Sequence, residues 1–166
     1  MSLSIRPATT ADIPVIQQIA NETWPVTFGD KMSPEQLHYM MELMYGTPAL
    51  EEQFGPKGHY FLLADLAGET VGFLSYELNY ERTGRAKIHK IYLRPAAQGT
   101  GSGRAFVNAA ETQARAAGMS VMVLDVKRDN PAVGFYEHLG YCNLGHKDTD
   151  IGNGFMMMDY VMERKL

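Results

Sequence analysis

Apolar residues recur along this chain with two different periods. Ile13, Ile16, Ile19 and Ala20 fall at helical spacing, which predicts an amphipathic helix capped by Thr10 and beginning at Ala11-Asp12. Trp24-Pro25 is expected to end it, because a residue before proline is pushed out of helical geometry. Ser33-Pro34-Glu35 opens a second helix with Leu37, Met40, Met41 and Met44 on one side. Gly46 and Pro48 are expected to interrupt that helix. Residues 4–7 read as a short strand stopped by proline.

In the middle of the chain the period changes to that of strands. Residues 59–66 and 70–79 are extended apolar runs joined by Ala67-Gly68-Glu69, the signature of a hairpin. Residues 87–94 form a further strand ended by Pro95. Phe106, Ala109, Ala110, Gln113, Ala114 and Ala117 then return to helical spacing, with Gly118 suited to the C-terminal cap. Residues 121–126 predict a buried strand, and 130–139 a short helix closed by Gly140. The tail, 155–163, alternates as a strand, with Met156, Met158, Tyr160 and Met162 on one face and Met157, Asp159 and Val161 on the other. Its methionines are expected to be core or dimer contacts. The order is strand, two helices, three strands, helix, strand, helix, then one or two strands. That is a mixed α/β (α+β) protein, with no repeat or low-complexity tract to divide it, so residues 1–166 are expected to be a single domain.

Composition narrows the function. The 166 residues are 45% hydrophobic and 20% charged, ordinary for a globular protein. A formal charge of −4, from 19 acidic and 15 basic side chains, argues against a nucleic-acid partner, which would require a basic face. Cys142 is the single cysteine, so no intrachain disulfide forms, and it reads as a small buried hydrophobe. No segment approaches the ~20 apolar residues of a membrane span, and the N-terminus lacks a signal-peptide pattern. The expectation is a cytoplasmic protein with no membrane partner. His38, His59, His138 and His146 show no metal-ligand spacing with one another, so no metal is expected.

Gln98-Gly99-Thr100-Gly101-Ser102-Gly103-Arg104 joins a strand to a helix. Glycines permit a close backbone approach to a ligand, and the first amides of a helix point outward without internal partners. The helix dipole makes such a place suited to phosphate oxygens, and Arg104 adds a formal charge. A tight structural turn explains the same glycines equally well. The dinucleotide fingerprint is excluded because Arg104 stands where its third glycine belongs, and the P-loop is excluded because Gly-Lys-Ser/Thr is absent.

The segment 98–103 resembles the Gln/Arg-x-x-Gly-x-Gly/Ala pattern of the GNAT-type N-acetyltransferases, and residues 89–95 resemble their fourth strand. Asn130-Pro131-Ala132-Val133-Gly134-Phe135-Tyr136 and the following residues to Tyr141 resemble their second signature, one residue shorter between Asn130 and Tyr136. Residues 22–28 and 159–166 are similar to the PaiA-like spermidine/spermine N-acetyltransferases. The resemblance implies a mixed, mostly antiparallel sheet flanked by helices and splayed between strands 4 and 5. It implies acetyl-CoA as co-substrate, with backbone groups of Ile91, Tyr92 and Leu93 on the pantetheine arm and amides of Gln98 through Arg104 on the diphosphate. Asn130 would contact the cofactor arm, and a homodimer is expected.

The same resemblance makes Tyr136 the acid that protonates the leaving sulfur. His89 and Glu77 are alternative acceptors for the amine proton. The expected reaction is acetyl transfer to a primary amine of a small molecule by direct attack in a ternary complex, a polyamine or diamine first. An amino acid, an aminoglycoside-like amine and a protein N-terminus are alternatives, and a non-catalytic acyl-CoA-binding regulator is the rival of another class. Glu22, Glu35 and Glu42 are the acidic groups available to a polycation, and Met40, Met41 and Met44 are candidates for a pocket floor.

Overall fold

A computed structural model describes residues 2–30 and 32–166. The chain forms two compact units interleaved along the sequence. One is Met1–Tyr76 with Lys90–Ala109, the other Glu77–His89 with Ala110–Leu166. Seven strands form one sheet in the order β1-β2-β3-β4-β5-β7-β6, and β3 and β4 each run through both units. None of the described helices is long and apolar enough to cross a membrane.

In the first unit, β1 (Leu3–Pro7) pairs antiparallel with β2 (Tyr60–Leu66), which pairs antiparallel with β3 (Glu69–Tyr80). The hairpin predicted between β2 and β3 is present, and Ala67 and Gly68 both adopt positive φ, the geometry that two-residue hairpin loops favour. A 3-10 turn, Thr10–Asp12, precedes α1 (Ile13–Phe28). The cap therefore lies one residue earlier than expected, with the Thr9 amide donating to Asp12 Oδ2 at 2.9 Å.

α1 also corrects the expected stop at Trp24-Pro25, because it continues through Pro25 to Phe28. An interior proline removes a hydrogen bond and costs ~3 kcal/mol. Here the last turn carries Trp24 and Phe28 into the core, their ring centroids 4.6 Å apart, and Trp24 also meets Tyr45 at 5.9 Å and Tyr92 at 5.8 Å. Aromatic burial of that size offsets the proline cost. α2 (Pro34–Tyr45) is capped by Ser33 as predicted, its side chain accepting from the Gln36 amide. Past Gly46 the chain forms a further helix, α3 (Thr47–Phe54), with Pro48 in its first turn.

In the second unit, the start of β4 (Arg85–Leu93) pairs parallel with β5 (Val121–Lys127), through Arg85↔Val121 to Ile88↔Leu124. β4 runs on to Leu93 and β5 to Lys127. β7 (Phe155–Lys165) pairs antiparallel with β5 and with β6 (Cys142–Gly152). α4 (Ser102–Ala116) and α5 (Ala132–His138) flank β5 in sequence. Gly118 at φ 83° and Gly140 at φ 96° follow the two helices, as expected of their caps.

Two expectations for this region change. Met162 and Asp159 are buried while Met156 and Met158 are exposed, so the tail does not keep one apolar face. Residues 159–165 of β7 pair with β5, whereas Met156 and Met158 lie beyond that ladder, opposite Asp150 and Asp148 of the edge strand β6. Cys142, expected to be buried, is exposed because β6 is the last strand of the sheet.

Candidate active site

In the first unit the end of β4 lies close against β3. A Cβ on Gly72 would stand 2.5 Å from Leu93 Cδ2 and 2.7 Å from the Tyr92 carbonyl oxygen. Only glycine admits that approach, and Arg94 closes it by donating from its amide to the Val71 carbonyl at 2.7 Å. Ile91, Tyr92 and Leu93 are half-buried there. Gly72 was not singled out from the sequence, since nothing local distinguishes it from any strand glycine.

The chain then makes a 3-10 turn at Pro95–Ala97 and enters the glycine loop. The Gln98 amide donates to the Pro95 carbonyl at 3.1 Å and the Thr100 amide to the Ala97 carbonyl at 3.3 Å. The Thr100 hydroxyl also donates to the Ala97 carbonyl and lies 2.6 Å from the Ser102 hydroxyl. Gln98 and Thr100 therefore brace the loop from within, which corrects the expectation that every amide from Gln98 to Arg104 faces a ligand. Among the described residues, no main-chain acceptor takes the amides of Gly99, Gly101, Ser102, Gly103 or Arg104. Gly99 at φ 76° and Gly101 at φ 83° hold the turn in the left-handed region that glycine allows. Amides without internal acceptors at the start of α4 suit an anionic diphosphate.

In the second unit the two alternative bases are partners. His89 Nε2 and Glu77 Oε1 lie 2.9 Å apart, with side chains 19% and 24% exposed. Burial raises the Glu77 carboxyl above its ordinary value, Lys87 opposing and Glu81 reinforcing the shift. Around the pair, Asp125 Oδ2 receives Lys87 Nζ at 3.0 Å and Lys147 Nζ at 3.1 Å. Neither Lys87 nor Asp125 was foreseen, since a lysine on a strand reads as a solvated residue.

Tyr136 is buried in α5, its ring centroid 5.2 Å from Phe135 and 5.9 Å from Tyr141. The Tyr141 amide donates to the Tyr136 carbonyl at 3.0 Å. The Tyr141 hydroxyl donates to the buried Glu111 carboxylate at 2.8 Å, and Arg164 donates to the same group at 2.9 Å. Asn130 Oδ1 accepts from the Ala132 amide at 2.9 Å in the turn before α5, whose N-cap is Pro131, which leaves the Asn130 side-chain NH₂ outside that bond.

Of the acidic groups considered for a polycation, Glu22 is neutralised by Arg94, Oε2 to Nε 2.8 Å. Glu35 and Glu42 are exposed. Met40 is buried and Met41 and Met44 are half-buried.

A seven-stranded sheet of this order with one parallel pair, β4–β5, and a glycine loop leading into α4 mark the class of acetyl-CoA-dependent N-acetyltransferases. The chain belongs to the acetyltransferase (GNAT) family, whose profile matches residues 13–141. It is 30% identical over 151 residues to the L-methionine sulfoximine/L-methionine sulfone acetyltransferase of Pseudomonas paraeruginosa, covering 85% of this chain and 81% of that one. It is 26% identical over 161 residues to an uncharacterized N-acetyltransferase in the pepI 3′ region of Lactobacillus delbrueckii subsp. lactis, covering 93% and 92%. Its fold is similar to that of the PaiA N-acetyltransferase from Thermoplasma acidophilum in complex with coenzyme A. The TM-score there is 0.77, at 24% identity and full coverage of both chains.

Proposed function

We propose that this enzyme acetylates a primary amine of a small molecule, a polyamine or diamine first, by direct attack in a ternary complex. The observation that carries the reading is the 2.9 Å contact between His89 and Glu77. An alkylamine with a pKa near ~10.4 is protonated at neutral pH, and removing its proton costs about 4–5 kcal/mol. With Nε2 donating to the Glu77 carboxylate, Nδ1 becomes the basic nitrogen of His89. The imidazolium formed on accepting the proton is then stabilised by the charge beside it. Tyr136 supplies a proton to the departing sulfur.

Acetyl-CoA supplies the activated acetyl group as a thioester. For its diphosphate the chain offers the amides of Gly99, Gly101, Ser102, Gly103 and Arg104, with Gln98 and Thr100 as their scaffold. For its arm it offers the backbone of Ile91, Tyr92 and Leu93 and the side-chain NH₂ of Asn130. The reading needs neither metal nor nucleic acid. It includes a single domain over residues 1–166 and a cytoplasmic homodimer, for which exposed Leu144, Met156 and Met158 offer an apolar contact.

The α-amino group of an amino acid is the second reading. The relative at 30% identity acts on methionine derivatives, and the pairing of Glu22 with Arg94 removes one carboxylate from polycation recognition. Free thiol is followed while acetyl-CoA is mixed with spermidine, putrescine and L-methionine sulfone. Release with spermidine or putrescine supports the first reading and release with the sulfone alone the second. No release with any of the three overturns both.

A further inference from the structure

His89 is in contact with more than its carboxylate partner. Lys87 precedes it by two residues on β4, so the two side chains project to the same face of the strand. Lys87 is only 8% exposed, and an ammonium so far out of water has to be held by specific partners. Its Nζ lies 3.0 Å from Asp125 Oδ2, 3.3 Å from the Tyr80 hydroxyl oxygen and 4.5 Å from the Tyr80 ring centroid. The contact with the ring is a cation–π pair, and the Asp125 oxygen is itself fixed by Lys147. Tyr80 is thus clamped from β4 and, through Lys87, from β5. Its ring also meets the His89 imidazole, centroids 6.0 Å apart and planes at 74°.

Rotation of an imidazole about χ2 is soft. A hydrogen bond to Glu77 fixes the position of one nitrogen, and contacts on the ring faces and edges set its plane. An aromatic edge at 6.0 Å limits its tilt. We propose that Tyr80, clamped by Lys87 and Asp125, is a positioning residue that sets the plane of the His89 imidazole for proton acceptance. The proposal rests on His89 acting as the base. The Lys87 charge gives the clamp a second effect, since it opposes protonation of Glu77 and so keeps the acceptor for Nε2–H available.

The test combines kinetics with the side-chain ¹H–¹⁵N spectrum of the five histidines, in which His89→Gln identifies the His89 signals. Wild-type His89 is expected as the Nε2-protonated tautomer with its carbon-bound protons shifted by the Tyr80 ring. Tyr80→Leu and Lys87→Met are expected to erase that signature. They should also lower kcat by about 10- to 100-fold, the scale of a misplaced catalytic group. KM for acetyl-CoA should stay within about two-fold, since these residues lie apart from the glycine loop in sequence. Tyr80→Phe keeps the ring and should stay near wild type, and Lys87→Arg, which keeps the charge, should restore most of kcat.

Spermidine and L-methionine sulfone serve as acceptors, using whichever turns over. Should Lys87→Met fail to fold, Tyr80→Leu at a half-exposed position gives the same reading. A wild-type His89 signature in Tyr80→Leu overturns the clamp, as does unchanged kcat in both variants. Failure of the underlying reading looks different. In that case His89→Gln itself retains wild-type kcat, while the spectrum still reports whether Tyr80 and Lys87 hold the ring.

Discussion

Lys90 gives the sharpest quantitative test of the packing. It is 7% exposed, its Nζ donates to Gln53 Oε1 at 2.6 Å and lies 5.5 Å from the Tyr45 ring centroid. Among the described residues no carboxylate is bonded to it. Burial, with repulsion from Lys57 added, lowers its pKa from 10.5 to about 7. The unfolded chain therefore binds a proton that the folded chain releases across the window from pH 7 to 10.5, and stability must rise with pH there. A shift of about 3.5 units corresponds to roughly 5 kcal/mol at ~1.36 kcal/mol per unit, an upper bound on what burying this amine costs near neutrality.

Lys90→Met removes that cost and keeps most of the apolar stem. It also strands Gln53 Oε1, whose amide end still donates to the Met44 carbonyl at 3.0 Å. A buried acceptor left without a donor costs about 1–3 kcal/mol. At pH 7 the variant should be more stable by roughly 2–4 kcal/mol. Near pH 9.5 most of the lysine penalty is gone and the stranded acceptor leaves the variant equal or weaker. Urea unfolding of both proteins between pH 6.5 and 9.5 reads the difference, in which all other titrations cancel. A difference that stays constant across that range refutes the argument, as does a variant less stable than wild type at pH 7.

Other predictions concern the site and its supports. His89→Ala and Glu77→Gln should each lower kcat/KM by about 10²-fold or more, and the double variant should lose little beyond the worse single one, because the two act as a unit. Independent, multiplying losses in steady-state assays would contradict the pairing. Gly101→Ala forces a side chain onto a residue at φ 83°, costing about 1–2 kcal/mol. It should raise KM for acetyl-CoA about 10-fold with a smaller change in kcat, and an unchanged KM would remove the loop from cofactor binding. Tyr136→Phe should lower kcat while thermal stabilisation by coenzyme A persists; full turnover would exclude it as the acid. Tyr141→Phe deprives the buried Glu111 carboxylate of one donor but leaves Arg164 in place, so the urea midpoint should fall by the equivalent of about 1–2 kcal/mol.

What the sequence made legible was the part in which a residue's identity dictates its own backbone or the next few bonds. Ala67-Gly68 gave a hairpin, Ser33 a cap, and the glycines at 99 and 101 a turn with positive φ, all decided within a few residues. Pro25, Cys142 and Lys90 were decided by distant partners. Trp24 and Phe28 hold α1 past its proline, the edge position of β6 exposes the thiol, and Gln53 accepts the buried amine. The His89–Glu77 pair belongs to this second group for a traceable reason. Recognising that Glu77 faces His89 requires the register of the β3–β4 hairpin, and its turn carries no Asn-Gly or Gly-Gly pair. Instead Asn79, Glu81 and Arg82 adopt left-handed φ of 52°, 54° and 58° beside Gly84. Asn79 Oδ1 accepts from the Gly84 amide at 2.9 Å and the Thr83 hydroxyl donates to the Tyr80 carbonyl at 2.6 Å. Non-glycine residues in that region carry strain that local propensity argues against, so an ordinary turn assignment yields another register. The turn that brings Glu77 to His89 is thus held by its own side-chain bonds, and two residues that read as alternatives along the chain become hydrogen-bonded partners.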